Sequence, residues 1–264
     1  MTHENNIGGL LETARRDIDA IDDQLLALLV QRFAVTTQVK LAKSQSNDVW
    51  PLPLRPTREA EIMRRLLAKV KGTEVTPELL VRLWRAILSQ SSLNQSPITL
   101  HVSRHLNSNM AHRLRLRDYF GPMPVEDYRD EAQALLQINT SAGDLCVVET
   151  EQPWAEAFVA GQAGAARVVA ALPVSGDDTM PKLLVIGQAP VTPSQHDETL
   201  VITSGKLPRD FAPEILWQGK SGGLRISSLS GFLLEHESPL VGLVRSNASL
   251  GLKLAGHYSS ALKV

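Results

Sequence analysis

The sequence predicts a multidomain chain: a three-helix, all-α region over residues 1–96, then an α/β or α+β region over 97–264. Three observations predict it. Apolar residues recur at three- and four-residue spacings through residues 10–45, and no proline interrupts them. Two further helical segments follow, each with its own start or stop residue. Beyond Asn94-Gln95-Ser96-Pro97 the pattern changes to short β-rich runs alternating with helical stretches, and Pro97 removes an amide donor at the junction.

The first helix is long. Leu10, Leu11, Ala14, Ile18, Ile21, Leu25, Leu28, Leu29, Val35, Val39 and Ala42 form its stripe. At about 1.5 Å per residue it extends roughly 54 Å. The two short helices that follow cannot cover a stripe of that length, so a homodimer with a shared helical core is expected. The second helix starts near Pro56-Thr57 and carries Ile62, Met63, Leu66, Leu67 and Val70, with Gly72 as its stop. The third is capped by Thr76 and has Pro77 at its first position; Leu79, Leu80, Leu83, Trp84, Ile87 and Leu88 form its apolar face.

Composition excludes several classes of function. The chain has 264 residues, 27 Lys+Arg and 28 Asp+Glu, and neither region is strongly biased in charge. A broad nucleic-acid surface needs a clustered basic excess, so no nucleic-acid partner is expected. No run approaches the roughly 20 apolar residues that span a bilayer, and residues 1–6 lack the basic-then-apolar order of a signal peptide. A cytoplasmic protein is expected, with no membrane partner. The single cysteine, Cys146, permits no internal disulfide and no cysteine-based zinc site. His101 and His105 have i, i+4 spacing but fall across a strand and a loop. Gly219-Lys220-Ser221 lacks the preceding glycine of a P-loop, because position 214 is Glu.

Several polar residues interrupt the helical scaffold. Arg32 and Lys43 are three turns apart on nearly one face, about 16 Å along the axis, and could grip a small anion. Alone, they read first as solvated cations. Ser91 and Gln95 are an i, i+4 pair near the end of the third helix, which is also the pattern of an ordinary polar helix end. Arg58-Glu59 open the second helix, where the dipole already favours Glu59. Arg15 lies about 25 Å from Arg32 along the helix, too far to share one small ligand with it. If Arg15 contributes, it does so from an antiparallel partner chain.

As a set, Arg15, Ile18, Asp22, Leu25, Leu26, Leu29, Arg32, Lys43, Arg58-Glu59, Ser91 and Gln95 resemble the all-helical chorismate mutase family in order, residue type and near-spacing. The resemblance covers about residues 10–95. It implies an intertwined dimer and a site for chorismate or for the transition state leading to prephenate. Carried over, Arg15 from the partner, Arg32 and Ser91 hold carboxylates. Lys43 and Gln95 donate to the ether oxygen, Lys43 also to a carboxylate. Glu59 accepts from the ring hydroxyl, and Arg58 supports the carboxylate site. Arg55 departs from the pattern, standing where bacterial bifunctional members often have aspartate.

The chemistry suits these residues. The conversion is an intramolecular rearrangement and needs no nucleophile, metal or redox group, so no cofactor is expected. The site must hold a compact conformer and stabilise charge developing on the ether oxygen. Guanidinium groups bind carboxylates bidentately, and a neutral amide donates to one oxygen without needing a proton. An isochorismate-pyruvate lyase on the same scaffold, and a non-catalytic regulatory dimer that binds an aromatic metabolite, are the alternatives.

For residues 97–264, strands are expected at Ile98–Val102, Asp144–Glu149, Arg167–Leu172, Lys182–Ile186 and Leu200–Thr203, with a helix around Met110–Phe120. The order resembles a shortened prephenate dehydratase region. Residues 144–153 are similar to its segment ending in a Pro-x-Glu-Asn type motif, which is not intact here. The family's Thr-Arg-Phe motif is missing, with Thr179-Met180-Pro181 standing nearby, so dehydratase activity is not expected. Residues 198–264 fit loosely an ACT-like effector unit: a strand, a helix near Pro208–Leu216, strands at Leu224–Leu229 and Leu240–Val244, and a helix near Ala248–Ala255.

Overall fold

The computed structural model describes residues 2–44, 52–208 and 211–264, including their side chains except those of 2–7 and 42–44. The chain divides into two compact units, Met1–Val49 and Trp50–Val264.

The first unit is one helix, α1 (Thr2–Ser44). Its apolar residues face outward: Leu10, Ile18, Ile21, Leu25 and Leu28 are 65%, 57%, 55%, 54% and 61% exposed. Among its described side chains only Leu29, Arg32, Phe33 and Thr36 are partly buried. The stripe is present as expected, and no residue of its own helix can cover it.

The second unit opens with α2 (Pro56–Val70) and α3 (Pro77–Leu93). Both begin with proline, whose fixed φ suits the first turn and whose missing N–H leaves no donor unpaired there. The Thr76 hydroxyl accepts from the Leu79 amide at 3.3 Å, the expected cap. Gly72 follows α2 at φ 78°, in the left-handed region that favours glycine. The face of α3 differs from the sequence expectation. Leu80, Val81, Arg85, Leu88, Ser89 and Ser92 are buried, whereas Leu79 and Leu83 are 48% and 49% exposed. Packing selects the stripe that includes Arg85 and Ser89, because Arg85 bonds Glu59 and the Tyr119 carbonyl and Ser89 bonds the Phe120 carbonyl.

Next come β1 (Leu100–Ser103), α4 (Arg104–Ser108), α5 (Met110–Phe120), β2 (Val125–Tyr128), α6 (Glu131–Thr140), β3 (Leu145–Glu149), α7 (Ala155–Val159), β4 (Arg167–Leu172) and β5 (Leu183–Gly187). The chain ends with β6 (Asp197–Thr203), β7 (Ile215–Ser221), β8 (Leu224–Ser230), α8 (Leu240–Ser246), a 3₁₀ turn at Ala248–Leu250 and β9 (Lys253–Ser259). Among the described residues nine strands form one mixed sheet in the order β2-β1-β3-β5-β4-β9-β6-β8-β7. β1 is parallel to β2 and β3, and β3, β5 and β4 are successively antiparallel.

Both faces of the sheet are covered, which explains the unbroken apolar run Leu183–Ile186. Cys146, Val148, Leu184 and Ile186 face a core with Trp154, Phe158 and α6. Leu145, Val147, Leu183 and Val185 face the other, with α5 and Leu52 and Leu54. Cys146 is buried in the first core, and burial pushes its thiol well above the ordinary value. The two halves of the sheet meet at one parallel pair, Val168 with Gly256. A Cβ on Gly256, at φ 152°, would lie 2.1 Å from the Val168 carbonyl oxygen, so the junction requires glycine.

Three sequence expectations within 198–264 are corrected. Leu240–Ser246 is helix α8, not a strand; Leu240 and Leu243 bury against Val201 and Leu229. The segment around Ala248–Ala255 holds only a 3₁₀ turn before β9, because Gly256 and its neighbours complete the sheet between β4 and β6. The helix near Pro208–Leu216 is absent among the described residues: Phe211 lies in a loop and Ile215 starts β7. Strands β6 to β9 continue the same sheet as β1 to β5. Among the described residues no helix is long and apolar enough to cross a membrane.

Candidate active site

The seven expected site residues fall on both units. On α1, Arg15 is exposed, with its Nη1 3.8 Å from Glu12 Oε2. Arg32 is half-buried, and burial lowers its guanidinium below the ordinary value. Its Cζ lies 5.9 Å from the Phe33 ring centroid. Lys43 lies within the helical backbone of α1, and its side chain is outside the described residues.

The second unit carries Arg58, Glu59, Ser91 and Gln95. Arg58 is exposed and pairs with Glu61 at 3.5 Å. Ser91 Oγ donates to the Ile87 carbonyl at 2.8 Å, and Gln95 Nε2 donates to the Ser91 carbonyl at 3.0 Å. The expected one-turn relation between Ser91 and Gln95 therefore holds, with Gln95 in the turn just past α3. Arg55, the departure from the family pattern, stands before α2, and its Nη1 donates to the carbonyls of Leu52 and Leu54 at 3.1 and 2.8 Å.

Glu59 is only 7% exposed. Its Oε2 accepts from Arg85 Nη1 at 2.6 Å. Arg85 in turn donates from Nε and Nη2 to the Tyr119 carbonyl at 3.3 and 2.9 Å, and its Cζ stands 3.6 Å from the Tyr119 ring centroid. Burial alone would lower the Arg85 guanidinium; Tyr119 and Glu59 outweigh it and hold it above its ordinary value. Burial pushes the Tyr119 phenol up to about 12. The cavity that Glu59 and Arg85 line holds about 40 Å³, enough for a water-sized group.

Sequence reasoning missed Arg85. Its signal is a cation four residues after Val81 and three before Leu88, inside a buried helical stripe. Neighbouring contacts tie the same helices to the end of α5 and to the segments beside β6 and β9. Ser89 Oγ donates to the Phe120 carbonyl, Arg64 Nη2 donates to the Ser260 carbonyl at 2.7 Å, and Thr57 Oγ1 donates to the Thr192 carbonyl at 3.2 Å. Met63, Val81 and Leu88 share a core with Leu262.

Residues 14–96 match the family model described as chorismate mutase type II. The chain is 32% identical over 123 residues to the bifunctional chorismate mutase/prephenate dehydratase of Escherichia coli K12, and equally to that of Shigella flexneri. The match takes 46% of this chain and 29% of the relative, so the chain spans under a third of the length of those relatives. Two solved structures overlap loosely with 63% of the chain: one titled as GqqA, a novel type of quorum quenching acylase, and prephenate dehydratase from Streptococcus mutans. Their TM-scores are 0.41 and 0.36, at 10% and 13% identity, over 96% and 100% of those chains. All seven expected site residues lie inside residues 14–96, the segment similar to chorismate mutase type II, which a mixed-sheet region follows.

Proposed function

We propose that the chain is a chorismate mutase, an isomerase that converts chorismate to prephenate in aromatic amino acid biosynthesis. The supporting observation is that the type II match at residues 14–96 contains Arg15, Arg32, Lys43, Arg58, Glu59, Ser91 and Gln95 together. In this reading the guanidinium groups of Arg15 and Arg32 and the hydroxyl of Ser91 bind the two carboxylates. Lys43 and Gln95 donate to the ether oxygen as its bond breaks. Glu59 accepts from the ring hydroxyl, and Arg58 supports the carboxylate end. The reaction uses no cofactor.

We infer a homodimer, with Arg15 supplied across the interface, acting in the cytoplasm. The exposed stripe of α1 supports a second copy as its cover: 43 helical residues extend roughly 65 Å and present Leu10 through Val39 to the outside. The sheet region is read as a non-catalytic, prephenate dehydratase-like domain at 97–264. The compact-unit division at 49/50 follows packing, whereas a division at 96/97 follows the mutase segment.

The test is chorismate consumption with product identification, on wild type, Lys43→Ala and Gln95→Ala, each checked for folding. Expected are prephenate from the wild type and losses of about 10²-fold or more in kcat for both variants, the scale of removing one transition-state donor. Pyruvate as the main product would establish the lyase instead. No turnover by a folded dimer would leave the regulatory reading.

A further inference from the structure

Glu59 stands in the mutase reading as an acceptor for a substrate hydroxyl, yet nothing on α2 itself fixes its carboxylate. The fixing group comes from α3. Arg85 is fully enclosed, and each of its three nitrogens has an assigned partner. Nη1 holds Glu59 Oε2 at 2.6 Å, while Nε and Nη2 converge on the Tyr119 carbonyl at 3.3 and 2.9 Å. That carbonyl belongs to the last turn of α5, which is packed on the sheet. The guanidinium plane also lies against the Tyr119 ring at 3.6 Å. A planar fork bonded on two sides and stacked on a third has little freedom to rotate. Among the described residues, Oε1 of Glu59 carries no hydrogen bond, which leaves one oxygen for a hydroxyl donor.

We propose that Arg85 is a positioning residue: it fixes the Glu59 carboxylate by tying it to the end of α5, so that the sheet region sets the geometry of one mutase side chain. This rests on the mutase reading. It assigns a role to the region after residue 97 that needs no chemistry there. Lysine cannot replace the fork, since a single ammonium cannot bond Glu59 and the Tyr119 carbonyl in fixed directions.

The test is a double-mutant cycle on the full chain with Arg85→Met and Glu59→Gln, reading kcat and KM for chorismate, with melting temperature to verify folding. Loss of Arg85 is expected to lower kcat by about 10²-fold, the scale of a small misplacement at a reacting centre, with KM within a few-fold. In the Glu59→Gln background the same substitution is expected to cost less than about 3-fold, because residues acting as a unit are non-additive. Arg85→Lys is expected to fall between, and it closes the cycle if Arg85→Met does not fold. Equal losses in both backgrounds would overturn the proposal, as would a Glu59→Gln variant with wild-type kcat and only a lowered melting temperature. If the wild type forms no prephenate, the mutase reading fails and takes the proposal with it. If the wild type is active and the cycle is additive, only the role of Arg85 fails.

Discussion

The helix α1 and the nine-stranded sheet use the same apolar residue types in opposite ways. Leu25 and Leu28 on α1 are 54% and 61% exposed, whereas Leu135 on α6 and Leu184 on β5 are 0% exposed. The α1 set recurs with the helical period, whereas the β5 run Leu183–Ile186 is unbroken because both of its faces are buried. The difference lies in the cover. The sheet finds helices on both faces within its own unit, whereas among the described residues α1 has no second helix in its unit. Periodicity on α1 therefore marks the face that seeks burial, while exposed area and helix length decide what can bury it.

Truncating one leucine in each region tests the difference in cover. Leu135→Ala is expected to cost about 2–5 kcal/mol, read as a lowered midpoint in urea. Under the dimer reading Leu28→Ala costs about 2 kcal/mol or more, and the melting temperature rises with protein concentration. A cost below about 0.5 kcal/mol, independent of concentration, would leave α1 as a solvent-facing helix and remove the dimer.

A second test addresses the sheet alone. Gly256→Ala places a Cβ against the β4 backbone at a φ that side chains avoid, and is expected to cost about 1–3 kcal/mol. Hydrogen exchange would report it as lost protection in β9 and β4, the two strands joined at that point. Unchanged protection there would mean that the backbones separate without penalty.

Smaller effects sharpen the contrast further. Thr76→Ala removes the cap of α3 and is expected to cost about 1 kcal/mol in thermal unfolding. The smallest effect at neutral pH concerns two histidines of the second unit. Burial lowers His257, which bonds the Leu233 carbonyl at 2.7 Å, and it lowers His112, beside Glu149 and Arg115. Their folded values lie below the unfolded one of about 6.5, so the unfolded chain binds more protons between the two. Their stabilising contribution is complete above about pH 6.5 and is lost as pH falls through the folded values. Residues 8–41 of α1 contain no histidine. The unfolding midpoint of the sheet unit is expected to fall on acidification from pH 7 to 5, less steeply in His257→Phe. An equal slope in that variant would remove His257 from the account.

Much of the fold was legible in particular residues. Thr76-Pro77 and Gly72 punctuate α2 and α3 where the sequence places the boundaries, because caps and breakers act on backbone only a few residues away. The apolar runs at 145–148 and 183–186 read as buried strands for the same local reason. Less was legible where the partner is distant in sequence. Residues 240–246 are apolar enough for a strand, yet form α8, since Leu240 and Leu243 meet Val201 and Leu229 only one helical turn apart. Residues 253–259 include Gly256, which reads as a weak strand former until the β4 backbone is placed against it. In the candidate site, the type and order of the seven side chains were legible, whereas the Glu59 to Arg85 pairing was not. A cation on a mostly apolar helix reads as solvated until a carboxylate 26 residues earlier is folded against it.

Helical punctuation, the long α1 stripe and the order of the polar residues within 14–96 are all set by spacing along the chain, and so are readable before folding. Tertiary structure decided which face of α3 is buried, that α2 and α3 pack within the unit of the sheet, and that Arg85 holds Glu59. These depend on groups far apart in sequence. A buried charge is tolerable only where its partners are brought to it, and only the folded chain sets where those partners are.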